Sequence, residues 1–166
     1  QTGGFRHHAC DVACAAAAAA MTLHLGITPW RLNVPSAASI GEQAAFAEQH
    51  GYQSFWLPEN HFGEGALPDP LMLLASAATT TKRIQLATTS YLLTLRNPLQ
   101  AAEQVAVLDQ LSGGRVLLGV GRGYAPEMLR AFHVPVAEKR RIFAWTLDLM
   151  QKAWQGEAIS LDGNPD

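Results

Sequence analysis

The chain has 166 residues, 48% of them hydrophobic and 16% charged, the makeup of one soluble globular domain rather than of a disordered tail or a fibre. Twelve Lys and Arg against fourteen Asp and Glu give a net charge of -2, with no basic stripe interleaved with aromatics, so the footprint of a nucleic-acid binder is missing and a small neutral or anionic ligand is favoured. The longest uncharged apolar run, Val12–Met21, is mostly Ala and about half of what a bilayer core requires, so no segment is expected to span a membrane.

Residues 1–20 open with QTGGFRHHAC, close with a run of alanines before Met21, and hold both cysteines of the chain. Three readings compete. A signal peptide would account for Arg6 ahead of a small-residue run. A metal site from His7, His8, Cys10 and Cys14 has ligand chemistry but no second cluster at zinc spacing downstream. The reading adopted is an N-terminal extension outside the fold, with the domain spanning 21–166. Cysteines confined to that segment leave the body without a disulfide framework, which fits a reducing cytoplasm.

From Met21 onward one unit repeats. LHLGITPW (23–30) is a short apolar run followed by turn residues, the mark of a buried strand. Ser39 to Glu42 has capping-box spacing, and Ile40, Ala44, Phe46 and Ala47 give a helical face that stops at His50 before Gly51. QSFWLP (53–58) is the second strand. Asp69 then caps a second helix with Pro70 in its first turn, where a missing N–H costs nothing. RIQLATTS (83–90) is the third strand. Asn97 and Pro98 start the third helix in the same way, Leu99, Ala102, Val105, Ala106 and Leu111 keep helical spacing, and Gly113 ends it. RVLLGVG (115–121) is the fourth strand. A fourth helix runs from about Glu138 to Gln155 with Ile142, Trp145, Thr146, Leu149 and Ala153 on one face. The tail from Ala158 has the composition of a further strand and turn.

Nearly continuous apolar strands alternating with helices argue for a parallel sheet covered by helices, either an open doubly wound sheet or a (β/α)8 barrel. In both, the loops after the strands gather on one edge, where ligands bind. That edge is expected to collect Trp30, the loop carrying Glu59, Asn60 and His61, the segment Thr89 to Tyr91, and Gly121 to Tyr124. Gly121 and Gly123 permit close backbone approach, and Arg122 between them offers a donor fork suited to a phosphate, unless it pairs with a neighbouring carboxylate. His61 fits three roles: a proton donor, a metal ligand with Glu59 and Glu64, or a loop histidine bonded to backbone. His24, His50 and His133 lack comparable company and read as structural. No nucleophile elbow, P-loop or paired zinc motif occurs.

The stretches GYQSFWLPENHFGEG (51–65) and RIQLATTSYLLTLRNPLQAAEQVAVLDQLSGGRVLLGVGRGY (83–124), with the spacing between them, resemble the luciferase-like flavin-dependent monooxygenase family over about Leu23 to Gly156. The resemblance implies a (β/α)8 TIM barrel, of which about four βα units are present. Such barrels need at least about 200 residues, so 21–166 is expected to be the amino-terminal half of a longer protein.

The resemblance further implies reduced FMN, or alternatively a deazaflavin coenzyme, at the carboxyl edge, and homodimerisation through the second and third helices. Thr89 and Ser90 fall where the family places a non-proline cis peptide under the flavin ring. Arg122, flanked by Gly121 and Gly123, falls where an arginine meets the flavin phosphate, and Glu59 on the cofactor-binding loop. Asn60 and His61 take the catalytic positions, and no metal is implied. The bacterial luciferase branch has two adjacent histidines there, the first of them catalytic, where this chain has Asn60 and keeps only His61. Gly121 likewise replaces a cysteine, so light emission is not expected. Asn60 can hydrogen-bond a flavin but cannot titrate.

The expected function is a flavin-dependent monooxygenase using reduced FMN, supplied by a separate reductase, and O2 on a small organic substrate. Two alternatives stand beside it: a deazaflavin-dependent hydride-transfer oxidoreductase, and a non-catalytic half-barrel interaction module that binds no flavin.

Overall fold

The structure is a computed structural model that describes residues 23–30 and 36–160. The N-terminal extension with its candidate metal ligands, and the turn expected at the end of the tail, lie outside the described residues. Four parallel strands, β1 (Gly26–Ile27), β2 (Ser54–Leu57), β3 (Gln85–Leu92) and β4 (Val116–Gly121), form one sheet in the order β1-β2-β3-β4. Helices α1 (Ser36–Gln49), α2 (Pro70–Thr80) and α3 (Pro98–Ser112) connect them, and α4 (Pro126–Ala131) and α5 (Lys139–Gln155) follow β4. A doubly wound sheet reverses its strand order at a switch point, whereas here each strand adds beside the one before it. This is a partial (β/α)8 barrel.

Alternation along the strands divides the two faces of the sheet. Phe55 and Leu57 of β2 and Leu86 of β3 are buried against Ile40 and Ala44 of α1, Leu74 of α2 and Val105 of α3. On the opposite face Trp56 lies across Gly26, its Nε1 donating to Ser54 Oγ at 2.7 Å. The caps that start α2 and α3 form as the sequence implies: Asp69 accepts from Met72 N–H, and Asn97 from the N–H groups of Leu99 and Gln100. Gly113 and Gly156 end α3 and α5 in the left-handed conformation that favours glycine.

Several expected details differ. α1 starts at Ser36, so Ser39 lies inside the helix, where its hydroxyl accepts from Gln43 Nε2 one turn on. Phe46 is half exposed, because Ile40, Ala44 and Ala47 share a stripe from which position 46 is rotated by one helical step. It stacks on His50, ring centroids 3.8 Å apart, and meets Trp30 edge-on. Leu111 is exposed for the same reason, with Leu108 and Ser112 taking the inward positions of that turn. β1 is reduced to two residues: Leu25 N–H donates to the Gln53 side chain, which ends the ladder there. The short helix α4 was not foreseen, and Ala158 to Ser160 form no strand.

At the amino edge two charged side chains tie helices to strands through backbone groups. Arg115 donates to the carbonyls of Ala78, Thr81, Ile84 and Ser112 and to Thr81 Oγ1, joining the ends of α2 and α3 to β3. Glu48, at the end of α1, accepts from the consecutive N–H groups of Lys82, Arg83 and Ile84 at 2.6–3.1 Å. Desolvation raises its pKa, but the donors from Ile84, Arg83 and Lys82 and the charge of Arg83 outweigh that, leaving it below the ordinary 4.5.

A depressed folded-state pKa contributes stability above the unfolded value that is lost as pH falls through the folded one. Glu48→Gln is therefore expected to cost about 1–3 kcal/mol at neutral pH. The difference from wild type, read by urea unfolding, should shrink toward zero below pH 4.5.

Candidate active site

The β3–β4 pairing is irregular at the edge where the site forms. Thr88 pairs with Leu118 and Tyr91 with Val120, so β3 carries one residue more than β4 between them. That bulge holds Thr89 and Ser90, joined by a cis peptide bond. Glycines on β4 make room for it: a Cβ at Gly119 would strike the Thr88 carbonyl, and one at Gly121 would strike Ser90 Oγ. Thr88 Oγ1 also donates to Gly119 O at 2.8 Å. Gly123, at φ 70°, turns the chain after β4 where a Cβ would meet Met128.

The loop after β2 reaches the same place. Asn60 is anchored within its own loop, accepting Leu67 N–H on Oδ1 at 2.8 Å and donating its own N–H to Leu67 O. Glu59 has no exposed side-chain surface, and its Oε1 accepts from His61 Nε2 and Arg96, each at 2.8 Å. Its Oε2 accepts Leu92 N–H at 2.8 Å. The His61 ring meets Phe132 edge-on at 4.8 Å.

A cavity of about 620 Å³ opens between these loops, and all eight expected site residues line it: Glu59, Asn60 and His61 from β2, Thr89 and Ser90 from β3, and Gly121, Arg122 and Gly123 from β4. Leu92, Val120, Met128 and Phe143 supply apolar wall, and Tyr124 is almost wholly exposed beside it. Arg122 is exposed and its guanidinium pairs with no carboxylate among the described residues, while its carbonyl accepts from Thr94 Oγ1. Two residues expected at this edge stand elsewhere. Trp30 packs on Phe46, and Tyr91 is wholly buried below the Arg96 guanidinium, which lies 3.9 Å from its ring. Burial pushes the Tyr91 hydroxyl up to about 12.

Arg96 and Thr94 were not foreseen. They lie in the short 3₁₀ turn and its end after β3 (Leu93–Leu95), whose only sequence signal is an arginine before the Asn97–Pro98 cap. Among the described residues no group of three His, Cys, Asp or Glu is placed to hold a metal ion.

The luciferase-like monooxygenase family profile matches residues 8–165. The chain belongs to that family. The 4-hydroxyprotoasukamycin monooxygenase of Streptomyces nodosus subsp. asukaensis is 35% identical over 117 residues, covering 70% of this chain and 32% of that protein. The monooxygenase RslO1 from Streptomyces bottropensis superposes with a TM-score of 0.79 at 27% identity, over 87% of this chain and 46% of that one. The oxygenating constituent of 3,6-diketocamphane monooxygenase from Pseudomonas putida, solved with FMN, shares the fold at TM-score 0.78 and 24% identity, over 86% of this chain and 43% of that one. The luciferase-like chain thus spans less than half the length of these relatives.

Close packing of the bulge on β4 has a direct consequence. Gly121→Ala should force Ser90 aside at a cost of about 1–3 kcal/mol. Thermal unfolding is expected to show that loss, whereas Gly114→Ala, with open space around its Cβ, is strained by its φ of 80° alone and should leave the cavity unchanged.

Proposed function

We propose that the protein is a flavin-dependent monooxygenase that uses reduced FMN and O2 on a small organic substrate, with the cavity above the Thr89–Ser90 bulge as its flavin site. The observation that carries this reading is the meeting, in one cavity, of an exposed guanidinium without a carboxylate partner among the described residues and the Thr89–Ser90 bulge seated against the glycines of β4. Its volume lies in the range of small-molecule sites.

The residues present fit FMN. Arg122 would hold the phosphate through its planar fork. Bound reduced FMN supplies the electrons for oxygen chemistry. The chain supplies position and dryness: Leu92, Val120, Met128 and Phe143 present no polar side-chain group to water, which protects a reactive centre from side reactions. His61 is the side chain of the loop that can hold or deliver a proton. Asn60, its oxygen accepting from Leu67, has its amide nitrogen available as a donor.

Arg122→Ala is expected to weaken FMN binding about ten- to a hundredfold, the effect of losing charge-assisted hydrogen bonds worth roughly 1.5–3 kcal/mol. Riboflavin, which lacks the phosphate, should bind both proteins alike. Equal losses for the two flavins would remove Arg122 from the phosphate site, and tighter binding of a deazaflavin coenzyme than of FMN would redirect the reading to hydride transfer.

We further propose pairing with a second copy through α2 and α3. Met72, Val107 and Leu111 leave an exposed apolar groove between these helices, a surface of the kind that interfaces bury. Leu111→Glu is expected to shift the sedimentation of the protein from dimer to monomer. No helix among the described residues is long and apolar enough to cross a membrane.

A further inference from the structure

One enclosed oxygen joins the two loops of the cavity. Glu59 Oε1 accepts from both His61 Nε2 and Arg96, and Oε2 is taken by Leu92 N–H. A carboxylate only accepts, so the His61 nitrogen facing it carries a hydrogen, and in the neutral ring Nδ1 keeps its lone pair. The ring is braced by Phe132 at 4.8 Å and Phe62 at 6.0 Å.

Arg96 is itself held on three sides. Its NH1 donates to Glu59 Oε1 and to Leu92 O, both at 2.8 Å, and its guanidinium lies over the Tyr91 ring at 3.9 Å. Among the described residues it brings the one permanent positive charge to a carboxylate with no exposed surface, where an uncompensated charge is strongly unfavourable. Without that guanidinium the nearest group able to offset the carboxylate would be the imidazole itself. A second proton on the ring would sit on Nδ1 and remove the acceptor. The other charged or titratable side chains lining the cavity, Arg122 and Tyr124, come from the loop after β4 and make no hydrogen bond to Glu59.

We infer that Arg96 is a positioning residue: by sharing Glu59 Oε1 with His61 it holds the imidazole as the Nε2–H tautomer and leaves Nδ1 as the proton-accepting atom of the loop. This rests on the proposed role of His61 and adds the residue that sets its chemical state. It also gives the loop a direction of proton transfer: a proton is taken up at Nδ1 while Nε2 stays on Glu59. A lysine at position 96 would keep the charge but not the planar guanidinium that lies over Tyr91.

The test is the ring state of His61, read by long-range 1H–15N correlation on protein labelled with 15N-histidine, which separates a protonated ring nitrogen from a bare one. His61→Gln identifies the signal by its disappearance. At neutral pH the wild type should show a protonated Nε2 and a bare Nδ1. Arg96→Lys should retain that pattern, and Arg96→Met should lose it, giving a doubly protonated ring. Should Arg96→Met fail to fold by circular dichroism, Arg96→Gln, which keeps an N–H donor without the charge, carries the same expectation. A wild-type ring protonated at Nδ1, or a pattern unchanged when the charge is removed, overturns the inference. FMN titration of the same samples separates the two claims: the Nε2–H pattern in a protein that binds no FMN removes the flavin function alone, and FMN binding without the pattern removes the role of Arg96 alone.

Discussion

A carboxylate sealed from solvent is costly unless it is hydrogen-bonded and its charge is offset, and Glu59 meets both conditions with three donors from two loops. Because His61 comes from the β2 loop and Arg96 and Leu92 from the end of β3, satisfying this one group fixes how the two loops stand against each other. The Arg96 guanidinium then covers Tyr91, and Tyr91 follows directly on the bulge. The geometry of the cavity wall and of its floor therefore depends on the same buried charge.

The two edges of the sheet use charge differently. At the amino edge Arg115 and Glu48 bind backbone carbonyls and N–H groups, which locks helix ends onto strand starts. At the carboxyl edge Glu59 binds a titratable imidazole, and Arg122 is left without a carboxylate among the described residues. The first arrangement serves stability. The second leaves ionisable and cationic groups available for a ligand, as expected for the loop edge of a parallel α/β sheet.

Within the luciferase-like family the loop of this chain has one titratable side chain on each side of Asn60. The asparagine is tethered by Leu67, and Glu59 accepts from three donors of its own. In the function proposed above, His61 is left as the proton-handling group. The apolar wall contributed by Met128 and Phe143 comes from α4 and α5, so the helices after β4 complete the cavity rather than only covering the sheet.

What the sequence determined by itself is local. Asp69–Pro70, Asn97–Pro98 and Gly113 announce helix ends because capping depends on a few neighbouring residues and on their backbone angles. The apolar strands announce a parallel sheet for a similar reason, and the family motifs brought all eight expected site residues to one edge. Tertiary structure decided the rest. Phe46 and Leu111 have the right residue type for a core, yet rotation about the helix axis places them outside it. Position 119 or 121 could not be told from any other strand glycine until the bulge of β3 was laid against it. Glu59 is placed on the cofactor-binding loop by the family resemblance, and its pairing with Arg96, thirty-seven residues on, shows only in the fold. Pairings across such separations depend on how strands and helices pack, and spacing along the chain carries no record of them.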